Sequence, residues 1–586
     1  MNTLVPTDAE QKLIEAARNG LPADLGSANE AENDPANGDG WGPARTIRAE
    51  IIYALATGAR ADWPVHPKGI QLYGARIEGQ FDFSDAELRC RLILKHCSIE
   101  KQIIFDDSTT RSIELTGSVI AGIVANRMAV RGSFVLQKVR AVGEVKILGA
   151  KISGQFDCAQ ARFSNRNGPA LIADGTSIEG GAFLNEGFAA IGMVRFGGAR
   201  IANQLNCRDG HFRSNAERAP ALALDGLKAD RLLLDLGFKA IGEVRLLGAE
   251  IRSQLSCRCG SFQNPTGFAL SADGATINGH VFLDEKFESV GEVRFIGARM
   301  LKDISCEGGK FDHLNLQRAQ VSGILFMRGL TDAAQSRIDL THARIGQLAD
   351  DQASWPAKGN FHIDGFEYDA IVEGSPRDAK SRLEWLDRAP EKGFSTQPYE
   401  QLEKVLRASG DERGAVEVYI AKRRAIREKG QMSRPARAWD RTLDCAVGYG
   451  YRVGRICLPA SVIVLLGSVL FWLWFYSGQP PSVITPTVVS SFQNATTAHA
   501  GDVIHTKPPA HPVRECANHA LHSFFYSLEV FLPFDGTPWR SSPPLYSRHP
   551  DDLWFYAIEA WCVIEELLGW LAAGLIAAAA AGVIQK

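Results

Sequence analysis

Hydrophobic and polar residues alternate in short runs through most of residues 63–374, and Gly, Asn and Asp separate the runs. Alternation with a period of two predicts short β-strands, and this region shows no helical period. Four segments of the pattern align without gaps, starting at Gly143, Gly192, Gly242 and Gly291, which are 49, 50 and 49 residues apart. Repetition at a fixed period predicts a stacked repeat architecture.

Equivalent positions of the repeat carry the same kind of apolar side chain. One row consists of Cys158, Cys207, Cys257 and Cys306, and another of Phe163, Phe212, Phe262 and Phe311. Like residues fill the inside of a column in which each coil pairs its backbone with the next at about 4.8 Å. A unit of this length suits two coils of roughly 20–25 residues. The sequence therefore predicts a mainly β fold, a right-handed parallel β-helix or solenoid, with these two rows as its core ladder.

The cysteine row also raises the alternative of metal or redox chemistry. Two coils per unit separate successive cysteines by about 10 Å, which is too far for a disulfide or a shared zinc ion. The other cysteines of the eleven are scattered, which favours reduced thiols in a cytoplasmic protein. Core packing is the favoured interpretation, and no metal site is predicted.

Charged rows on the outside of the repeat give no catalytic cluster. Lys146, Arg195, Arg245 and Arg294 form a basic row, and Glu144, Glu243 and Glu292 lie two residues before three of them. This favours a solvated charge ladder over an anion-binding stripe. We find no phosphate loop, no dinucleotide-binding motif and no nucleophile–base pair. No catalytic residue and no cofactor is predicted, so a membrane-associated oxidoreductase is only a further alternative.

Helical patterns flank the predicted solenoid. Residues 1–40 are predicted to be a flexible lead-in, and residues 41–62 a capping helix that ends at Gly58 and covers the first coil. Residues 375–432 change to a helical period and predict an α-helical hairpin of tetratricopeptide type. A single such hairpin is either a connector, which we favour, or a peptide-binding groove.

The C-terminal part predicts a membrane domain. Residues 456–476 lack charge and are long enough to cross a bilayer, and a second span is predicted within 554–586. Ten Lys or Arg lie between Lys422 and Arg455, against three acids. This excess, with 433–455 as the juxtamembrane segment, predicts a two-pass protein of the inner or plasma membrane with both termini cytoplasmic. The basic run indicates contact with the lipid bilayer and not with nucleic acid.

A short helix is predicted at 520–534, within the external loop 477–553. Span, short helix, turn and span resemble the two-helix pore-loop membrane domains of the potassium-channel superfamily. The Glu-x-Leu-Gly element of Glu566, Leu568 and Gly569 is similar to that family's inner helix. The resemblance covers about residues 440–586, and the repeats resemble pentapeptide-repeat β-solenoids, which some bacterial members of the superfamily carry.

The selectivity filter of that family is missing. Where the family has Thr-x-Gly-Tyr-Gly, this chain has Leu-Pro-Phe-Asp-Gly at 532–536, and proline removes a backbone N–H. The sequence Gly448-Tyr449-Gly450 precedes the first span, so we interpret it as a juxtamembrane turn. The histidines of the external loop are irregularly spaced, which favours solvated side chains over a metal site.

The sequence is compatible with two functions. The favoured one is a membrane-anchored cytoplasmic solenoid that acts as a scaffold or sensor for an unknown protein partner. The alternative is an oligomeric channel, a homotetramer if the resemblance holds, that is not potassium-selective. For that alternative, the pore-lining candidates are Asp535, Gly536, Glu559, Glu565 and Glu566.

Overall fold

The computed structural model describes residues 5–216, 219–391, 393–430, 432–477, 512–532 and 553–581. The chain divides into two compact units, Met1–Lys422 and Arg423–Lys586. The helices are α1 (Asp8–Asn19), α2 (Ala49–Thr57), α3 (Ala379–Leu386), α4 (Gln397–Ala408), α5 (Glu412–Lys429), α6 (Arg434–Val447), α7 (Cys457–Ser477), α8 (Pro512–Phe531) and α9 (Leu553–Ala580). Short 3₁₀ helices span Glu30–Asn33, Pro35–Gly40, Pro43–Arg45, Ala333–Gln335, Gln352–Ser354 and Val453–Ile456.

The first unit is a parallel β-solenoid of about 13 turns, in which every strand pairing is parallel. One 21-stranded sheet contains Ala23–Asp24, Ile70–Tyr73, Leu92–Lys95, Thr109–Thr110, Ile113–Glu114, Ala129–Val130, Phe134–Val135, Lys151–Ile152, Phe156–Asp157, Ser177–Ile178, Ala182–Phe183, Arg200–Asn206, Lys228–Leu233, Glu250–Ser256, Thr276–Ile277, His280–Phe282, Arg299–Met300, Ile304–Ser305, Gln320–Met327, Arg344–Asp350 and Glu367–Ile371. The other, with 22 strands, contains Thr46–Arg48, Arg76–Glu78, Phe81–Asp82, Ser98–Ile99, Ile103–Ile104, Val119–Ile120, Ile123–Val124, Arg140–Ala141, Val145–Lys146, Arg162–Ser164, Leu171–Ile172, Ala189–Ile191, Val194–Arg195, His211–Arg213, Leu222–Ala223, Lys239–Ile241, Val244–Arg245, Ser261–Ser271, Glu288–Arg294, His313–Asn315, Arg337–Asp339 and Phe361–His362.

Two coils make up each repeat unit, as the sequence predicts. Phe156 lies opposite Ala182 of the next coil, and Ala182 lies opposite Leu205 of the coil after that. Phe156 and Leu205 are equivalent positions of neighbouring units, so one coil lies between them. The extra residues of the longer coils are in loops such as the one around Asn165.

The position that begins each unit requires glycine for steric reasons. Gly192 has a φ of +112°, and a Cβ there would lie 2.7 Å from the carbonyl oxygen of Gly168. Gly291 has a φ of +104°, and its Cβ would lie 2.3 Å from the carbonyl oxygen of Asn264. Only glycine combines this backbone conformation with so close an approach of a neighbouring coil.

The N-terminal end of the solenoid is covered by more structure than the sequence suggested. Residues 8–19, expected to belong to a flexible lead-in, form α1, in which Thr7 and Glu10 make a capping box. Leu13 and Ile14 of α1 are buried in the same core as α2. Ile47, which lies within the predicted capping helix 41–62, instead belongs to the strand Thr46–Arg48 that pairs with Arg76–Glu78. The helix α2 then ends at Gly58 in the left-handed conformation.

The C-terminal end is closed by α3 and α4. Trp385 of α3 packs edge-on against Phe361 of the final coils, with ring centroids 5.1 Å apart. Gln401 of α4 donates a hydrogen bond of 2.6 Å to the carbonyl oxygen of Tyr368, in the last strand. The helices that follow the solenoid therefore satisfy its open edge, which is the role a terminal cap must fill in a repeat protein.

Within its described residues, the second unit has two helices that are long and apolar enough to cross a membrane, Val453–Trp474 and Tyr556–Ala580. Val464 near the start of α7 shares a cluster with Ala572 and Leu575 near the end of α9. At the other end, Phe471 and Trp474 of α7 pack with Ile558 of α9. The two helices are therefore antiparallel, so the start of α7 and the end of α9 lie at the same end of the unit.

Candidate functional site

The cysteine row lies inside the solenoid. Cys158, Cys207, Cys257 and Cys306 are fully buried and alternate with Leu184, Leu234 and Leu283 of the coils between them. Burial raises the pKa of the Cys158 and Cys257 thiols well above the ordinary value. A thiol that is fully buried and protonated is a poor nucleophile and a poor metal ligand. The row therefore serves packing, and the described residues contain no group of His, Cys, Asp and Glu arranged to hold a metal ion.

The phenylalanine row is twice as dense as the predicted ladder. Phe163, Phe212, Phe262 and Phe311 are buried, and Phe188, Phe238 and Phe287 fill the coils between them. Neighbouring ring centroids along this seven-residue stack are 5.0–5.5 Å apart. The sequence signal was present, because each intervening phenylalanine occupies an equivalent place in its own half of the unit.

The three arginines of the basic row on the outside are paired with acids of the preceding coil. Arg245 forms an ion pair of 2.6 Å with Asp225, while Arg195 pairs with Asp174 and Arg294 with Asp273. The glutamate row suggested by the sequence is not the partner, because the aspartates follow strands directly in register with the arginine strands. These charges are satisfied within the solenoid, which leaves them little attraction for an anionic partner.

The predicted pore residues that the structure describes differ in how far they are buried. Asp535 and Gly536 lie outside the described residues. Glu559 is exposed on α9, Glu566 is half-buried, and Glu565 is fully buried. The predicted short helix 520–534 corresponds to the longer α8, which packs against both α7 and α9. Glu565 consequently lies inside the packing of α7, α8 and α9 and not on an open face.

Glu565 is the polar centre of the bundle formed by α7, α8 and α9. Its carboxyl accepts a 3.0 Å hydrogen bond from the indole N–H of Trp561 and is hydrogen-bonded to the Ser527 hydroxyl of α8. The Ser527 hydroxyl also lies 2.8 Å from the carbonyl oxygen of Val464 on α7. A polar group in an apolar helix bundle is costly unless it is hydrogen-bonded, so this arrangement links all three helices.

Two glycines permit the close approach of the three helices. A Cβ at Gly467 of α7 would lie 2.4 Å from the Ser527 hydroxyl and 2.6 Å from a Glu565 oxygen. A Cβ at Gly569 of α9 would lie 1.6 Å from the carbonyl oxygen of Phe531, the last residue of α8. Small residues at helix contacts allow backbones to approach in membrane bundles. The Glu-x-Leu-Gly element that suggested a resemblance to a pore domain therefore has a packing role through Gly569.

A charged cluster precedes the first candidate span. The Asp440 carboxylate of α6 accepts hydrogen bonds from Arg423 at 2.9 Å, from Arg427 at 3.2 Å and from the Tyr449 hydroxyl at 2.7 Å. Asp444, one turn later, binds Arg424 and Arg427 at 2.8–3.0 Å. The two acids of α6 thus neutralise part of the basic run, which a count of charges along the sequence does not reveal.

The Gly-Tyr-Gly sequence is a turn that ends α6. Gly448, Tyr449 and Gly450 have φ values of 52°, 56° and 88°, so three successive residues are left-handed. The turn directs the Tyr449 side chain back into the charged cluster, where it is buried. This agrees with the interpretation of the sequence as a turn ahead of the first apolar helix and assigns Tyr449 a structural role.

Comparison of the chain with protein-family models, with curated proteins and with solved structures finds no match in any of the three.

Proposed function

We propose that the protein is a membrane-anchored β-solenoid scaffold that presents one long face to a protein partner. The observation that carries the proposal is the architecture itself: a column of coils covered by helices at both ends, and a separate unit with two antiparallel apolar helices. The interior of the column is filled by side chains, so its outer surface is what remains for recognition.

A repeated apolar row supports a protein partner. Val142, Ile191 and Ile241 directly precede the first glycine of successive units, and these residues are 68%, 47% and 50% exposed. On the intervening coils, Ser164 and Arg213 lie on either side of Ile191, and Arg213 and Gln263 lie on either side of Ile241. Exposed apolar groups at a regular spacing of about 10 Å suit an extended protein surface better than a small molecule.

We also infer a relationship of the solenoid to pentapeptide-repeat proteins, from the spacing of its interior residues. Between residues 103 and 130 a buried residue recurs every five positions, at Phe105, Thr110, Leu115, Ile120, Ala125 and Val130. A second series lies two residues earlier in each pentapeptide, from Ile103 to Met128. The later units depart from this period because they contain loops.

The test uses the full chain in its native membranes. Lysine residues near the apolar row are cross-linked, and the linked partner is identified by mass spectrometry in the wild type and in the Ile191→Glu/Ile241→Glu variant. We expect one partner to be linked in the wild type and lost in this variant. Leu236→Glu/Leu301→Glu is the matched control, because both residues are exposed and apolar but lie outside the row. A partner retained in the row variant, or release of the protein from membranes by alkaline carbonate, contradicts the proposal.

A pore is the second candidate function, and the position of α8 favours it. Phe531 at the end of α8 packs in the same cluster as Val464 and Ala572, so α8 extends along both apolar helices. A pore requires several chains, so the mass of the detergent-solubilised complex is measured first. We then expect reconstituted oligomers to pass current that changes in Glu559→Gln, since Glu559 is exposed. A monomer, or an oligomer that conducts no current, refutes the pore.

A further inference from the structure

A cleft of about 420 Å³ lies beside α2 at the N-terminal end of the solenoid. Leu55, Trp63 and Val65 supply apolar lining, and Arg60, Arg89 and Arg111 supply three guanidinium groups. His66 supplies an imidazole and Cys90 a thiol, and no carboxylate is among the lining residues. Its volume is in the range of small-molecule sites.

Two of the three arginines are not compensated by acids. Arg60 is paired with Asp62 at 2.7 Å and lies over the ring of Trp63, 4.5 Å from its centroid. The guanidinium groups of Arg89 and Arg111 make no hydrogen bond or ion pair with any described residue. The cleft therefore has an excess of two positive charges.

The strand register explains why these two charges are close. Thr109 is paired with Glu87 on one side and with Ala129 on the other. Each of these three residues is followed two positions later by an arginine, namely Arg89, Arg111 and Arg131. Arg131 is within 3.8 Å of Glu87, whereas the other two have no acid in the row. Like charges on neighbouring strands are destabilising unless something neutralises them. This is the opposite of the Arg195, Arg245 and Arg294 row, where every arginine has its own aspartate.

The cleft also holds its donors in place. A Cβ at Gly58 would lie 3.1 Å from a terminal nitrogen of Arg89, so this guanidinium rests against the end of α2. The Nδ1 atom of His66 accepts a hydrogen bond of 3.1 Å from the backbone N–H of Lys68, which leaves Nε2 for another contact. Arginine forks match the geometry of phosphate oxygens, and the apolar lining suits a flat or apolar body.

We propose that this cleft binds a small phosphate monoester whose ester group is flat or apolar. The phosphate dianion neutralises Arg89 and Arg111, and the body packs against Val65 and the edge of Trp63. The proposal is independent of the scaffold function, because neither the apolar row nor the membrane unit takes part in it.

Calorimetric titration of the full-length, detergent-solubilised protein in phosphate-free buffer tests the proposal, with phenyl phosphate as the probe. We expect saturable binding at one site per chain. Arg89→Ala and Arg111→Ala should each weaken it about tenfold or more, because each removes charge-assisted hydrogen bonds. Arg344→Ala is the control, since Arg344 is an exposed arginine on the same sheet, paired with Glu367 at 3.3 Å. It should leave binding unchanged.

Two further probes separate the anion from the body. Inorganic phosphate should bind more weakly than phenyl phosphate, and benzyl alcohol should not bind measurably. The proposal is overturned by absence of binding at millimolar phenyl phosphate, by equal binding in the Arg89 and Arg111 variants, or by inorganic phosphate binding as tightly as the ester. Because Arg89 and Arg111 are exposed, both variants should keep the wild-type melting temperature, and this is measured on the same samples.

Discussion

The guanidinium of Arg382 binds both carboxylate oxygens of Asp350, at 2.8 and 2.6 Å, where the solenoid ends. Asp350 lies opposite Met327, and Met327 lies one coil after Cys306 in the interior row of cysteines and leucines. The Asp350 carboxylate therefore occupies the last position of that row. Trp355 donates a further hydrogen bond of 2.9 Å to it. Neither charged side chain is more than 3% exposed. The interior thus ends in a buried ion pair that ties α3 to the last coils.

Removing Arg382 should strongly destabilise the solenoid. Arg382→Met leaves the Asp350 charge buried without its partner, and this typically costs about 3–5 kcal/mol. The loss is measured as the change in the free energy of unfolding in urea. Arg344→Ala, which breaks an exposed ion pair with Glu367, should cost no more than about 1 kcal/mol. Equal stability of the two variants contradicts the assigned role of the buried pair.

Substitution of Gly569 should disrupt the packing of α8 on α9. The added methyl group of Gly569→Ala would lie 1.6 Å from the carbonyl oxygen of Phe531, so the helices must move apart. We expect a loss of about 1–3 kcal/mol, which is the usual cost of overpacking. Thermal unfolding in detergent provides the measurement.

Gly574→Ala is the matched control, because a Cβ at Gly574 of the same helix meets no atom within 4 Å. It should leave the melting temperature unchanged or raise it slightly, since alanine favours helix more than glycine does. If both alanine variants behave alike, α8 does not pack on α9 at Gly569.

The solenoid was predictable because its signal is repeated in the sequence. Register alone placed Cys158 and Phe163 in the interior, and the two-coil unit followed from the spacing of the glycines. The pair of Asp350 and Arg382 was not predictable, because it occurs once and joins residues 32 positions apart. Glu565 was a candidate from the sequence, but its buried position was not predictable, because its neighbours Trp561, Ser527 and Gly467 come from three separate helices. The helix α1 was missed, although Thr7 and Glu10 have the spacing of a capping box.

The interior cysteines should resist alkylation in the folded protein. Burial raises the pKa of the Cys158 and Cys257 thiols, so almost no thiolate is present at neutral pH. Cys445 is exposed and should react. Iodoacetamide labelling at pH 8, followed by peptide mass spectrometry, gives the modified fraction of each cysteine. We expect the four interior cysteines to be labelled only after unfolding in urea, and native labelling of Cys207 or Cys306 at the rate of Cys445 contradicts the packed interior.

Acid should weaken the cluster that holds α6. Hydrogen bonds from Arg424, and then from Arg427, hold the pKa of the Asp444 carboxyl below its ordinary value. A carboxyl with a lowered pKa in the folded state stabilises the fold fully above its unfolded value of about 3.9, and this contribution is lost as the pH falls below that value. The melting temperature of the wild type should therefore fall more steeply than that of Asp444→Asn between pH 5 and pH 3.

Arg424→Gln separates this effect from general acid unfolding. The variant keeps the Asp444 carboxyl but removes the hydrogen bonds that contribute most to its lowered pKa. We expect its melting temperature at neutral pH to lie below that of the wild type, and the difference between the two to shrink as the pH falls below 4. The same difference at every pH would mean that the ion pair of Arg424 and Asp444 does not stabilise the folded state through the ionised carboxylate.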